Sequence, residues 1–387
     1  MSVEGTGQTK VAVCITGLEI GGAETLLANL LERRPEDIEV RVFSLIDGGE
    51  IARRIEAAGI TVTGLQMHAG RPSVRSLLRL ASELRSYRPD VLHTWMYHAD
   101  LIGSLAGRLA GVRSIVWHLH NSDLTPERVR LMTRAVVRVC ALLSYTVPHA
   151  ILSCSEAGIR EHRARGYASE KMRFLPNGVD ANVFVPSDAS RDAVREELGL
   201  PSERPVVGMV ARLDPQKNHT GFFEAVKLFF ERGGEADFLL VGRGVTEAGW
   251  GLAELRDATG RPECIHLVGP RTDVAHIMAA IDVATSASLG EAFPMVLIES
   301  MACGAPCVAT DVGDCARIVA DTGFVVPADD ADALAAAWAR MLSLPQRERG
   351  ELRRRARERV LANYTLDRFS DQVWSLYREL SRDSSSS

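Results

Sequence analysis

The chain has 387 residues, 46% hydrophobic and 25% charged, which is enough apolar material for two buried cores and argues against disorder or a fibrous repeat. No window approaches the ~18–20 apolar residues of a membrane span, and the opening MSVEGTGQTK lacks the layout of a signal peptide, so a cytoplasmic protein is expected. The net charge of −5 gives no reason to expect a nucleic-acid partner, and seven scattered cysteines without a CxxC are expected to be reduced thiols.

Short β-rich runs alternate with amphipathic stretches. In the first half, strands are expected at 11–16, 40–45, 60–64, 91–95, 114–117, 151–153 and 173–175. Helical patterns lie between them at 23–34, 50–58, 73–86, 99–110, 126–145 and 155–165. Pro176-Asn177-Gly178 then punctuates the chain, and a polar stretch, SDASRD, follows Pro186. In the second half, strands are expected at 206–210, 237–241, 264–268, 283–285, 306–309 and 323–326, and helices at 190–198, 218–232, 247–258, 272–280, 294–303 and 330–343. Residues 346–382 read as two further helices before a frayed SRDSSSS end. Strand–helix alternation implies parallel sheets covered on both faces, and about thirteen strands fit two doubly wound domains better than one eight-fold barrel. Residues 1–185 carry 22 basic and 19 acidic side chains, while 186–387 carry 23 and 31, so the halves differ in sign. Only four of the 45 basic residues are lysines: Lys10, Lys171, Lys217 and Lys227.

The most informative segment is SASLGEAFPMVLIESMACGAPCVATDVGD, 286–314. Glu291 and Glu299 are eight apart with Pro294 between them, and Gly304 fits just past a helix end. A helix entered from a strand end would point free N–H groups and its positive dipole end at a phosphate. Glu291, in the loop, is placed for sugar hydroxyls, and Glu299, inside the helix, for a second hydroxyl set such as a ribose. The competing reading is two solvated glutamates on a surface helix. In VVGMVARLDPQKNHT, a buried strand delivers Arg212 and then Lys217, a fork and a point charge suited to a diphosphate. Gly21-Gly22 opens a helix after the first strand without forming GxGxxG, which disfavours a nicotinamide dehydrogenase.

Four histidines flank strand ends: His93 and His98, then His118 and His120. His120, before polar Asn121-Ser122-Asp123, is the first candidate for contact with a reacting sugar, with His118 close behind. A zinc site from these four has the right ligand type but no supporting Cys or carboxylate spacing. No essential metal is expected. Cys303, Cys307 and the 311–314 turn read as packing residues and a turn.

At these residues the sequence resembles glycosyltransferase family 4. The matching pieces are GGAET, ILSCSEAGIREHRARGYASEKMRFLPNGVDANVF, GMVARLDPQKN, LLVGRG with Gly242, and GEAFPMVLIESMACGAPCVATDVG. The resemblance implies an α/β GT-B fold, two tandem Rossmann-like doubly wound domains facing across a crevice. The domains would be 1–185 on the acceptor side and 186–365 for the nucleotide sugar, with 366–387 crossing back to the first. It implies a retaining glycosyltransferase whose donor is a nucleoside diphosphate sugar, a UDP-sugar ahead of a GDP-sugar. Arg212 and Lys217 would hold the diphosphate, Glu291 the donor sugar, Glu299 the ribose, and backbone at Phe293, Pro294, Met295 and Val296 sugar and phosphate. Gly21-Gly22 would face the donor, with His120 or His118 near the transferred sugar. The sequence departs from the family where Ala292 replaces the common Gly after the first Glu, and where His118-Leu119-His120-Asn121 leaves two histidines in contention. A GT-B epimerase or hydrolase, or a non-catalytic nucleotide-sugar binder, remains as an alternative.

The acceptor is read as a lipid-linked saccharide or a small soluble aglycone. Arg130, Arg134 and Arg138 recur at four-residue steps, with Arg128 nearby, in a stretch that also carries Leu131, Val136, Val139, Leu142 and Leu143. A basic amphipathic helix of this kind suits peripheral contact with anionic lipid at the inner membrane face. The competing reading is a core helix with a solvated arginine stripe.

Overall fold

The computed structural model describes residues 8–67, 73–124 and 130–385. The chain divides into two units, Met1–Asn177 with Leu366–Ser387, and Gly178–Thr365.

The first unit is built on a seven-stranded parallel sheet. Its strands are β1 (Thr9–Ile15), β2 (Ile38–Ser44), β3 (Thr61–Gly64), β4 (Val91–Trp95), β5 (Ser114–Leu119), β6 (Ala150–Ser153) and β7 (Met172–Phe174), in the order β3-β2-β1-β4-β5-β6-β7. The crossovers are α1 (Gly22–Glu32), α2 (Glu50–Ala57), α3 (Val74–Tyr87), α4 (Tyr97–Ala110), α5 (Leu131–Ser144) and α6 (Glu156–Ala164). Every residue of β4 and β5 is buried, as expected of central strands covered on both faces. One core packs β1 and β2 against α1 and α2, and a second packs the opposite sheet face against α3, α4 and α5.

The second unit repeats the plan with six parallel strands: β8 (Val206–Val210), β9 (Asp237–Val241), β10 (Ile265–Gly269), β11 (Val283–Ser286), β12 (Cys307–Thr310) and β13 (Phe324–Val326), in the order β10-β9-β8-β11-β12-β13. Its helices are α7 (Asp188–Leu198), α8 (His219–Glu231), α9 (Leu252–Asp257), α10 (Val274–Ala280), α11 (Met295–Ala302), α12 (Cys315–Val319), α13 (Ala331–Ser343) and α14 (Gln346–Asn363). Phe222, Phe229, Phe238 and Trp338 pack edge-to-face or tilted in its core, and the Trp338 indole donates to Thr285 Oγ1 at 2.9 Å. Each sheet reverses its strand order beside its first strand, between β1 and β4 and between β8 and β11. That is where a doubly wound sheet opens at its strand C-termini to take a ligand.

The final helix, α15 (Leu366–Ser385), belongs to the first unit. Leu366, Phe369, Val373, Trp374, Tyr377 and Leu380 recur at three- and four-residue steps and are buried in the core of β1 and α1. Arg378 holds Asp37 with two hydrogen bonds, 2.7 and 3.0 Å.

Some expected details differ. Residues 178–185 group with the second unit, so the division falls at Asn177/Gly178 and not at 185/186. The helix α12 was not expected; five residues are too few to carry a periodic signal. The last helix continues to Ser385 through most of the stretch expected to fray. Arg128 lies outside the described residues. Among the described residues, no helix is long and apolar enough to cross a membrane.

Candidate active site

In the second unit, the loops after β8, β9, β11 and β12 converge. Beyond β8, Ala211 N donates to Val241 O at 2.9 Å and Leu213 N to Arg243 O at 2.8 Å, so the Arg212 loop stays tied to the loop after β9. Gly242, in that loop, has φ +154, and a Cβ there would lie 2.0 Å from Ala211 O. Only glycine fits so close an approach. Arg212 is half exposed and its guanidinium rests on Asp214 Oδ2, from Nε at 3.1 Å and Nη2 at 3.0 Å. The other Asp214 oxygen accepts from Gln216 N at 2.9 Å and caps the short turn that presents Lys217.

Lys217 Nζ forms an ion pair with Glu291 Oε1, and Ser288 Oγ donates to the same oxygen at 2.7 Å. Both side chains are largely shielded, 20% and 12% exposed, whereas Arg212 is 51% exposed. Leu289 N donates to Gln216 O at 2.8 Å, which binds the Glu291 loop to the Lys217 turn. Thr310 Oγ1 donates to Ser288 O at 2.6 Å. Gly313, with φ +57, presses so close to Glu291 that a Cβ would lie 2.1 Å from its carbonyl oxygen. Ala292 O accepts from Asp314 N at 3.1 Å. Three loops therefore fix the Glu291 carboxylate beside a lysine.

The expected helix begins later than the sequence suggests. Pro294 is the N-cap of α11 and not its first turn, with φ −71 and ψ 106. The Phe293 ring turns inward against Tyr364, centroids 5.6 Å apart, which leaves backbone at the helix entrance. Met295 and Val296 are partly exposed there. Glu299 lies a full turn further in. Its carboxyl has no hydrogen bond or ion pair among the described residues, and burial pushes its pKa up to about 7. It keeps some accessible surface, so a hydroxyl can still reach it.

In the first unit, Gly21 is the extended N-cap of α1 and Gly22 its first residue. Among the described residues, nothing beyond its chain neighbours and the backbone of its own helix lies within 4 Å of a Cβ built on Gly22, so the space beside that backbone is open. His118 ends up fully buried on β5 between His93 and His120, with ring centroids at 5.3 and 4.1 Å. His93 Nδ1 meets Tyr377 Oη at 2.5 Å, and the His120 ring stacks on Trp95 at 4.7 Å. His120 alone of this pair keeps accessible surface, because β5 ends at Leu119 and its ring lies beyond the sheet. His118 thus supports His120 from below and does not itself face solvent. Burial pushes the His93 and His120 pKa values down to about 3, so both imidazoles are neutral at pH 7. Among the described residues, no group of three or more His, Cys, Asp or Glu side chains is arranged to hold a metal ion, the four-histidine set included.

Sequence reasoning missed Asp214, Ser288, Thr310 and Gly313, whose partners lie on the neighbouring segments and loops that they hold. It also missed His219, buried beside Lys217, with neither ring nitrogen hydrogen-bonded among the described residues and a pKa that burial pushes down to about 4. Its place directly after Lys217-Asn218 was the available signal.

Two Rossmann-like units of the GT-B type with this strand-end constellation define a glycosyltransferase. A family model for Glycosyltransferase Family 4 matches residues 20–183, and one for Glycosyl transferases group 1 matches 204–343, between them most of the chain. The protein belongs to glycosyltransferase family 4. It is 25% identical to a UDP-Gal:α-D-GlcNAc-diphosphoundecaprenol α-1,3-galactosyltransferase of Escherichia coli, over 79% of this chain and 80% of that one. It is 34% identical to a D-inositol 3-phosphate glycosyltransferase of Mycobacterium marinum, over 52% of this chain and 43% of that one. Among solved structures, Anabaena HepE in complex with UDP superposes with a TM-score of 0.84 at 22% identity, covering 96% of this chain and all of that one.

Proposed function

We propose that this glycosyltransferase is retaining, uses a UDP-sugar, and transfers to the hydroxyl of a lipid-linked saccharide at the inner face of a membrane. The Lys217–Glu291 pair carries the donor half of this reading, since it sets a cation for phosphate beside a carboxylate for sugar hydroxyls. Arg212 takes up the diphosphate by exchanging Asp214 for it; an exposed pair of this kind is worth only about 0–1 kcal/mol and yields readily. The entrance of α11 faces a phosphate, and Glu299 accepts from the ribose hydroxyls. Neutral His120 hydrogen-bonds the transferred sugar, and the open backbone at Gly22 lets the donor approach.

The acceptor oxygen attacks the anomeric carbon on the face from which the UDP oxygen departs. The C–O bond to UDP breaks with its electron pair, and the acceptor proton passes to the departing phosphate. Arg212, Lys217 and the helix dipole stabilise the charge that develops there, with no metal required. Activity is therefore expected to survive EDTA.

The acceptor half rests on α5. Leu131 and Leu142 are 78% and 77% exposed, and Met132, Val139 and Tyr145 are also exposed. Val136 instead turns inward with Val137 and Cys140. Exposed Arg130 and Arg138, with partly exposed Arg134, flank this apolar face. A solvated arginine stripe would not need exposed leucines; an interfacial helix does. The similar E. coli enzyme is named for an undecaprenol-linked acceptor.

The test is a panel of UDP- and GDP-sugars assayed for transfer to undecaprenyl-diphosphate-linked saccharides and to soluble aglycones, with liposome sedimentation alongside. Transfer of a UDP-sugar with the anomeric configuration kept, and vesicle binding that needs anionic lipid and is lost in Leu131→Ser/Leu142→Ser, are expected. Inversion, transfer only to soluble aglycones, or donor hydrolysis with no acceptor used would overturn the corresponding part.

A further inference from the structure

At the opposite end of the second sheet lies a cavity of about 460 Å³. Pro205 before β8, Val283 opening β11 and Pro306 before β12 line it, so it sits at the strand N-termini. The donor loops leave the same strands at their C-termini, and a five-residue strand separates the two ends by roughly 15 Å.

Four guanidinium groups line this cavity: Arg191 on α7, Arg204 ahead of β8, and Arg349 and Arg353 on α14. Two carboxylates, Glu203 and Asp282, line it with them, and Arg204 is also paired with Asp237 at 3.4 Å. Asp282 is already heavily used. It accepts from Arg195 Nη2 at 2.6 Å and Val206 N at 2.8 Å, lies 2.8 Å from Arg191 Nη1, and is 3.7 Å from Arg353. Arg191 and Arg195 thus share this one carboxylate, and Nε of Arg195, which is 4% exposed, has no hydrogen-bond partner among the described residues. Among the described residues, Arg349 makes no side-chain hydrogen bond or ion pair. Arg191/Arg195 and Arg349/Arg353 are like-charge pairs four apart on their helices, an arrangement that repels. Burial pushes the pKa of Arg195 and Arg353 below the ordinary arginine value.

We infer that this cavity is a second anion site, built for a phosphate dianion held by Arg191, Arg349 and Arg353 and separate from the donor loops. Planar guanidinium forks from two helices match tetrahedral phosphate oxygens, and a dianion offsets the surplus positive charge of the lining. The cavity has room for a phosphorylated sugar as well as inorganic phosphate. The inference stands independently of the donor and acceptor assignments above.

The experiment is calorimetric titration of the whole protein with inorganic phosphate and with glucose 1-phosphate, against sodium chloride at matched ionic strength. Lys217→Ala, Arg349→Gln and Arg349→Gln/Arg353→Gln are titrated in parallel. Arg349 has no partner to lose among the described residues, so its single variant is expected to fold even where the double variant does not. Binding that survives Lys217→Ala and weakens by about tenfold or more in Arg349→Gln is expected. Tighter glucose 1-phosphate than phosphate identifies a sugar phosphate as the occupant, and the reverse identifies free phosphate. No heat above the chloride control, or binding lost in Lys217→Ala and unchanged in Arg349→Gln, overturns the site.

Discussion

Glu291 and Glu299 have the same side chain eight residues apart, yet their surroundings differ. Glu291 is held by Lys217 and Ser288, while Glu299 has no partner among the described residues and burial raises its pKa to about 7. A raised carboxyl pKa means that the folded protein binds more protons than the unfolded chain between about pH 4.5 and 7. Glu299 therefore favours folding at low pH, and that contribution is lost as pH rises through 7. Glu299→Gln is expected to raise Tm at pH 8 and change it little at pH 5, read by thermal melts. Ionised Glu299 is the better acceptor for ribose hydroxyls, so UDP affinity should strengthen from pH 6 to pH 8 in the wild type and stay flat in Glu299→Gln. At the diphosphate, Lys217→Ala and Arg212→Ala should each cost about 2–4 kcal/mol in kcat/KM. Lys217→Ala should be the more damaging, because it also strips Glu291 of its counter-ion. Wild-type kinetics in both would remove these residues from the site.

The loop elements carry the precision of the site. Gly313 needs a positive φ and also touches the Glu291 backbone, so Gly313→Ala is expected to destabilise by about 1–3 kcal/mol and to displace Glu291. An ångström of displacement at a reacting centre costs about a hundredfold in rate. Gly199, after α7, has φ +66 with no atom near its Cβ direction, so Gly199→Ala carries similar strain without the displacement. Comparing kcat in the two variants separates strain from positioning; equal losses would deny Gly313 its role. These elements also show what the sequence makes legible. The strand alternation, the paired glutamates and the arginine–lysine loop are patterns within short windows, and each was readable. Thr310 bonding Ser288, or Gly313 abutting Glu291, depends on loops that only the folded sheet brings together. His118 and His120 share a strand face, and no local pattern says which one lies beyond the end of β5. The sequence likewise marks Leu131 and Leu142 of α5 as apolar without giving their direction, because periodicity marks a face and not what covers it.

At the scale of the whole molecule, the first unit is assembled from two distant stretches of chain. Trp374 and Tyr377 of α15 are buried in the core of β1 and α1, and Tyr377 bonds His93 under the histidine column. Truncation after Thr365 is expected to unfold the first unit while the second retains its own core and its phosphate-binding cavity. Trp374→Ala alone should cost about 3–5 kcal/mol, measured by chemical denaturation. A truncated protein with both units intact would contradict that account.

This closure by the last helix sets an order on the ribosome. Domains ordinarily fold as units with the N-terminal one first, but here the first unit lacks part of its core until the whole of the second unit and then α15 have been synthesised. At ~5–20 residues per second, the stretch Gly178–Thr365 occupies roughly 10–40 s of synthesis, during which β1 and α1 expose the groove that α15 will fill. The second unit is complete in sequence before the first can be. A nascent chain arrested after Thr365 should thus display a protease-resistant second half and a protease-sensitive first half, and chaperones that shield apolar grooves have their window in that interval.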